Sequence, residues 1–309
     1  MKKITSFVLM LALAVFALAA CSLENGSSSD SKSSSGDKTS DSVTIGLSVS
    51  TLNNPFFVTL SEGAAAKAEE LGAKLTTIDA QDNASKQASD IEDLIQQNVD
   101  LIIINPVDSA AVAAAVESAN TANIPVITVD RSSDGGEVVS HIASDNAAGG
   151  ALAGEYLLEL VGEGAKVVEL EGVAGSSAAR DRGEGFNSAV DGKVDVVAKQ
   201  TANFNRAEGL SVMENILQAN PDVVAVFAHN DEMALGALEA ISASGKDIKV
   251  IGFDATDDAV AAVEAGTLAA TVAQKPDEIG TIAVETAIAF LNGEEVEAEI
   301  PVDLELIKK

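Results

Sequence analysis

The sequence predicts an α/β protein of two similar lobes, each a parallel sheet covered by helices, and three observations lead there. From residue 43 onward, aliphatic runs of strand length alternate with Ala-rich segments of helical spacing. Hydrophobic residues make up 47% of the 309-residue chain but aromatics only 3%, with no Trp and one Tyr. The core must therefore be Ala, Val, Ile and Leu, as in strands buried on both faces. The third observation is a layout written twice, in VDLIIINPVDSAAVAAAVESANTANIPVITVD (99–130) and PDVVAVFAHNDEMALGALEAISASGKDIKVIGFD (221–254). Each block runs from an Asp along an aliphatic strand to an Asn, through an Ala-rich helix, and ends a second strand at Asp. Asn105 and Asn230 differ in register when Asp100 and Asp222 are aligned, so the lobes are similar without being a strict repeat.

Two segments of other character precede the alternation. MKK and the apolar stretch after it form the pattern of an export signal, not of a permanent membrane span, and residues 1–20 are expected to be that signal. The stretch ends at LAAC, whose Cys21 is the one cysteine of the chain; neither an internal disulfide nor a Cys-based metal site is available. LAAC resembles the lipobox of bacterial lipoproteins, which implies a lipidated Cys21. The Ser-rich segment after it, SLENGSSSDSKSSSGDKTSD, is almost free of apolar residues, so 21–42 reads as a flexible tether.

The strands are expected at 43–49, 73–80, 100–106, 124–130, 138–144, 165–172, 195–201, 223–229, 249–255 and 268–274, with helices such as 109–122 and 231–245 between them. Strand, helix and strand in series require right-handed crossovers and a parallel sheet. A single eight-stranded barrel has the same alternation, but the doubled layout and ten or eleven strands count against it. A formal charge of −29 argues strongly against nucleic acid as a partner, because phosphates are repelled. It also disfavours an anionic ligand, and its plain consequence is solubility.

Ligands of open parallel sheets bind beyond the carboxyl ends of the strands. The first strand leads to Ser50, Asn54, Phe56 and Phe57 in the loop STLNNPFF, which is read as exposing its two rings. Later strands lead to Asn105, then Asp130 and Arg131; in the second block come Arg180 and Arg182, Asn203 and Phe204, Asn230, Asp254 and Gln274. Carboxylates, amides and guanidinium groups beside aromatic rings suit a monosaccharide, whose hydroxyls donate and accept at once while its C–H faces are apolar. Two Asp and two Arg balance, as a neutral ligand requires. Each Asn or Asp also has a plainer reading as a turn or helix cap, and Phe56 and Phe57 a plainer one as the apolar start of a helix.

On STLNNPFF, INPVDSAAV, ANIPVITVDR, SSAARDRGEGF, VFAHNDEMALGAL, VIGFDAT and LAATVAQ, the chain resembles the periplasmic sugar-binding proteins of ABC transporters, most of all the ribose-binding members, over residues 43–307. The resemblance implies two Rossmann-like lobes joined by a three-strand hinge, the type I periplasmic binding protein fold. It places crossings near 144, 274 and 303, hence lobes of 43–144 plus 275–303 and of 145–274 plus 304–309. It implies D-ribose or a close monosaccharide as ligand, ABC permease subunits as partners, no cofactor and a monomer. The family's ligand positions match Ser50, Asn54, Phe56, Phe57, Asn105, Asp130, Arg131, Arg182, Phe204, Asn230, Asp254 and Gln274, and select Arg182 over Arg180. Lipidation and a serine tether depart from the freely soluble members and imply anchorage to the outer face of the cell membrane.

Other chemistry has less support. An enzyme would draw on His141 and His229, both read as structural, or on Asp130 and Asp254 as a paired acid and base. A transcriptional regulator needs a basic helix-turn-helix where the tether stands. GEGAK (162–166) lacks the spacing of a phosphate loop, and no metal-ligand pattern is visible.

Overall fold

The computed structural model describes residues 42–309; the expected signal, Cys21 and nearly all of the tether lie outside the described residues. β1 (Thr44–Val49), α1 (Pro55–Glu70), β2 (Lys74–Asp79), α2 (Ala84–Gln96), β3 (Leu101–Ile104), α3 (Ala113–Thr121), β4 (Val126–Val129) and β5 (Ser140–Ser144) come first. Next are α4 (Asn146–Val161), β6 (Lys166–Glu171), α5 (Ser177–Val190), β7 (Asp195–Thr201), α6 (Arg206–Ala219), β8 (Ala225–Ala228) and α7 (Asp231–Ser244). The chain ends through β9 (Lys249–Asp254), α8 (Asp257–Ala265), β10 (Ala270–Ala273), α9 (Pro276–Leu291), β11 (Glu299–Val302) and β12 (Glu305–Lys308).

The strands form two six-stranded sheets, ordered β11-β5-β4-β3-β1-β2 and β12-β10-β9-β8-β6-β7. Neighbours are parallel except β10 and β12, so the two-lobed parallel α/β class is the one the chain adopts. The chain passes between the sheets three times: from β5 to α4, which packs with α5; from β10 to α9, which packs with α1; and from β11 to β12. All ten aliphatic runs are strands, but β11 and β12 bring the number among the described residues to twelve. They escape pattern reading because each is four residues long and mostly polar or half-exposed. β11 also contains Pro301, tolerated because β11 is an edge strand. The helix expected at 109–122 starts only at Ala113, because Asp108 Oδ1 accepts from the amides of Ala110 and Ala111 and holds a turn there.

Burial on both faces explains the unbroken aliphatic runs. Along β3, Ile103 packs into the core under α1 and α9, while Ile102 and Ile104 pack with α2 and α3. In β6, Val168 and Leu170 face one core of the second lobe and Val167 the other. A core poor in aromatics lets helices approach closely, and glycines carry the closest approaches. A Cβ at Gly150 of α4 would overlap the backbone carbonyl of Arg182 in α5, and one at Gly185 of α5 the carbonyl of Ala147 in α4. The same reciprocal arrangement joins α6 to α7 through Gly209 and Gly236, and α1 to α9 through Gly63 and Gly280.

Gly236→Val forces α7 away from the Arg206 carbonyl of α6 and is expected to cost about 1–3 kcal/mol. Urea unfolding measures this, and an unchanged midpoint would show that the two helices tolerate a wider spacing.

Candidate functional site

In each sheet the strand order turns back between the first and third strands of the lobe, β1 with β3 and β6 with β8, and a crevice forms beyond their carboxyl ends. The residue after the third strand bonds back to the first strand in both: Asn105 N donates to Ser48 O at 2.8 Å, and His229 N to Leu170 O at 2.9 Å. The ladder counterpart of Asn105 is therefore His229, and Asn230 lies one residue later.

The first-lobe wall begins with Asn54, which caps α1: its Oδ1 accepts from Phe56 N at 3.0 Å, ahead of Pro55 in the first turn. Phe56 and Phe57 are only 4% and 2% exposed and meet edge to face at 5.1 Å. This corrects the reading that the loop exposes them; they enter the core and also line the cleft. Asn105 Oδ1 accepts from Ser50 N at 3.1 Å, and its Nδ2 donates to Asp130 Oδ2 at 3.1 Å and Val129 O at 3.2 Å. Gln87 of α2, which sequence reasoning did not single out, holds this loop: its Nε2 donates to Asn105 O and its Oε1 accepts from Val107 N, both at 2.8 Å. Arg131 Nη1 donates to Pro106 O at 3.1 Å, while its Nε lies 3.5 Å from Asp130 Oδ2. Its guanidinium sits 5.1 Å from the Phe57 ring and 5.2 Å from the Phe204 ring of the other lobe, within cation–π range of both.

In the second lobe Arg182 projects from α5. Its Nε donates to Asn146 Oδ1 at 2.8 Å and its Nη1 to His229 O at 2.6 Å, and it lies 3.8 Å over the Phe253 ring. Asp254 Oδ1 is 3.6 Å from Arg182 Nη1 and accepts from Gln274 Nε2 at 2.8 Å. Asn230 caps α7, its Oδ1 accepting from Met233 N at 3.0 Å, and its Nδ2 donates to Phe204 O at 3.3 Å. The capping reading and the cleft reading are thus both true of Asn54 and Asn230. Beneath this wall His229 Nδ1 accepts from Gly172 N at 3.3 Å, so Nε2 carries the proton and donates to Glu169 Oε1 at 2.9 Å. Burial lowers the pKa of His229, in keeping with a neutral ring. Glu169 was also missed; its one signal is a carboxylate inside the buried run VVELEG.

Asp130, Phe204 and Asp254 have φ of +62°, +58° and +116°, a strained region for side chains larger than Gly that clusters at functional sites. Ten of the twelve expected residues line one small cavity between the lobes: Asn54, Phe56, Phe57, Asp130, Arg131, Arg182, Phe204, Asn230, Asp254 and Gln274. Ser50 and Asn105 are fully buried behind it and reach it through Asp130. Arg131 Nε and Gln274 Oε1 are buried without a hydrogen-bond partner. One anion and one cation from each lobe, unfilled polar atoms and aromatic faces fit a neutral polyhydroxyl molecule. Burial raises the Asp254 pKa to about 7, with Arg182 and Gln274 opposing it. Among the described residues no group of three or more His, Cys, Asp or Glu is placed to hold a metal.

The lobes are closed on one another. Ser109 N donates to Gly175 O at 2.9 Å, Ser177 N to Ser109 Oγ at 3.2 Å, and Ser132 N to Ser177 Oγ at 2.9 Å. Arg180 is not at the cavity; it pairs with Asp134 across the lobes at 3.2 Å. Asn203 lines the outer mouth, and His141 Nδ1 lies 2.9 Å from Thr128 Oγ1 on the hinge side.

Residues 45–295 match the model of the periplasmic binding protein domain family. The chain is 54% identical over 306 residues to the ribose import binding protein RbsB of Bacillus subtilis strain 168, with 99% of each covered. It is 57% identical over 268 residues to the ribose import binding protein RbsB of Escherichia coli strain K12, covering 86% of this chain and 90% of that one. Among solved structures, an ABC transporter periplasmic solute-binding protein of Actinobacillus succinogenes with bound D-allose superposes with a TM-score of 0.81. It is 31% identical, and the match covers 86% of this chain and 98% of that one.

A Cβ at Gly175 would overlap the carboxylate of Asp108 in the other lobe, so Gly175→Ala should oppose closure without disturbing either lobe. Small-angle scattering should find it more extended than wild type under conditions that close wild type, with stability within about 0.5 kcal/mol; an equally compact variant would refute the contact. A second prediction concerns Asp254, whose folded pKa of about 7 exceeds the reference 3.8. The stability linked to its proton is complete below about pH 4 and is lost as pH rises through 7. Asp254→Asn should therefore gain on wild type by on the order of 2 kcal/mol between about pH 5 and pH 8 in urea unfolding. A constant difference would refute the raised pKa.

Proposed function

The chain belongs to the periplasmic binding protein family, and from that premise we propose that it is the extracytoplasmic receptor of an ABC importer for D-ribose or a close monosaccharide. The observation that carries the reading is the meeting of an Asp and Arg from each lobe around one small, neutral, aromatic-walled cavity. The relatives named for ribose import, which span nearly all of the folded chain, support it.

In this reading the sugar enters between open lobes. Asp130 and Asp254 each accept from hydroxyls, Arg131 and Arg182 donate, and Asn54, Asn230 and Gln274 take what remains. Phe56, Phe57 and Phe204 cover the faces of the ring. Ser50 and Asn105 act one step back, by aiming Asp130. Lobes comprising 43–144 plus 275–303 and 145–274 plus 304–309 rotate about the three crossings. Closure is a population shift: the ligand favours the closed form because it alone offers contacts from both lobes. The closed form is the one that ABC permease subunits receive. A lipidated Cys21 holds the receptor at the outer membrane face through the tether, and it works as a monomer without a cofactor.

The protein binds its sugar and does not transform it. Asp254 accepts from Gln274 and Asp130 from Asn105, and the relatives are named as binding proteins, which supports binding without turnover.

D-ribose should raise the melting temperature in proportion to the logarithm of its concentration, and a single-deoxy ribose should bind about 1–3 kcal/mol more weakly where it leaves a buried charged group unpaired. Thermal shift and calorimetry across pentoses and hexoses test both; indifference to every monosaccharide would refute the function. Recovery of the sugar unchanged after incubation tests the absence of turnover.

A further inference from the structure

Asp231 follows Asn230 in the chain, is fully buried, and does not line the cavity. Its Oδ1 accepts from Thr271 Oγ1 of β10 at 2.7 Å. Its Oδ2 accepts from Thr256 N at 2.8 Å and lies 3.3 Å from Thr256 Oγ1. Thr271 Oγ1 in turn accepts from Ala255 N at 3.2 Å. One carboxyl therefore fixes, directly or through one hydroxyl, the two backbone amides that follow Asp254.

Those amides belong to a turn that needs holding. Asp254 and Ala255 are consecutive residues with φ of +116° and +56°, backbone conformations that are strained for side chains larger than Gly. The turn sets the direction of the Asp254 side chain, which Gln274, three residues beyond Thr271, then grips at 2.8 Å. Gly252 is part of the arrangement, because a Cβ there would overlap Asp231 Oδ1.

We propose that Asp231 is a positioning residue of the sugar site: it never meets the ligand, but it straps the 254–256 turn to β10 and so aims the Asp254 carboxylate into the cleft. The inference rests on the sugar-receptor reading above. Burial, with the nearby charge of Asp254, raises the Asp231 pKa well above the ordinary carboxylate range.

The test is calorimetry of Asp231→Ala, Asp231→Asn, Thr271→Val and Asp254→Asn with D-ribose and its single-deoxy analogues. Asp231→Ala and Thr271→Val should each lose at least tenfold in affinity for D-ribose, and Asp231→Asn, which keeps one acceptor, should recover part of that loss. The loss should vanish for the same deoxy sugar to which Asp254→Asn is indifferent, since both act through one hydroxyl. An equal loss for every sugar would mean a merely structural role and overturn the proposal, as would unchanged affinity in both variants. If Asp231→Ala does not fold, Thr271→Val decides alone. Wild type that binds no sugar would overturn the receptor reading and this inference with it.

Discussion

Two carboxylates and two guanidinium groups are buried together where the lobes meet, and the rest of the structure is arranged around that fact. Neither pair is a close salt bridge: Arg131 lies 3.5 Å from Asp130, and Arg182 3.6 Å from Asp254. Burying four ionisable groups that are only loosely matched is costly, and the raised pKa of Asp254 is one sign of that cost. In the proposed reading the sugar offsets it by supplying a donor to each carboxylate and an acceptor to each guanidinium. The same constraint explains why the walls are so thoroughly tied down, since a charged group that reoriented toward its neighbour would collapse the cavity.

The tying down uses backbone as much as side chain. Asp130 and Asp254 occupy equivalent places, at the ends of β4 and β9, and both have positive φ. In the first lobe the neighbouring loop is braced by Gln87 and Asn105; in the second, Glu169 braces His229, whose carbonyl holds Arg182. Arg182 reaches the cleft from α5, and α5 sits where it does because Gly150 and Gly185 let α4 approach within backbone contact. A core of small side chains thus serves the site: tight helix crossings set the height from which the arginine enters.

Much of this was legible in the chain. Unbroken aliphatic runs separated by Ala-rich helices point to parallel strands buried on both faces, as AVFA and LIIIN are. Brief edge strands such as EIPV were not legible, because they bury too little to need a pattern. The strand-end rule found the polar residues of the cleft, since the end of a strand is a place defined by sequence alone. It did not find Gln87, Glu169 or Asp231, which sit within helices or strands and owe their roles to partners up to 60 residues away.

What the sequence determined by itself is therefore the class of fold and the chemical character of the strand ends, since both follow from local periodicity and residue type. Only the tertiary structure decided which polar groups share the cavity. It withdrew Ser50 and Asn105 behind Asp130, turned Arg180 to a contact between the lobes, and buried Phe56 and Phe57 while leaving them at the cleft wall. The physical reason is that a direction in space is set by helix crossings, caps and turns whose hydrogen-bond partners come from distant parts of the chain. Spacing along one strand or helix carries no record of them.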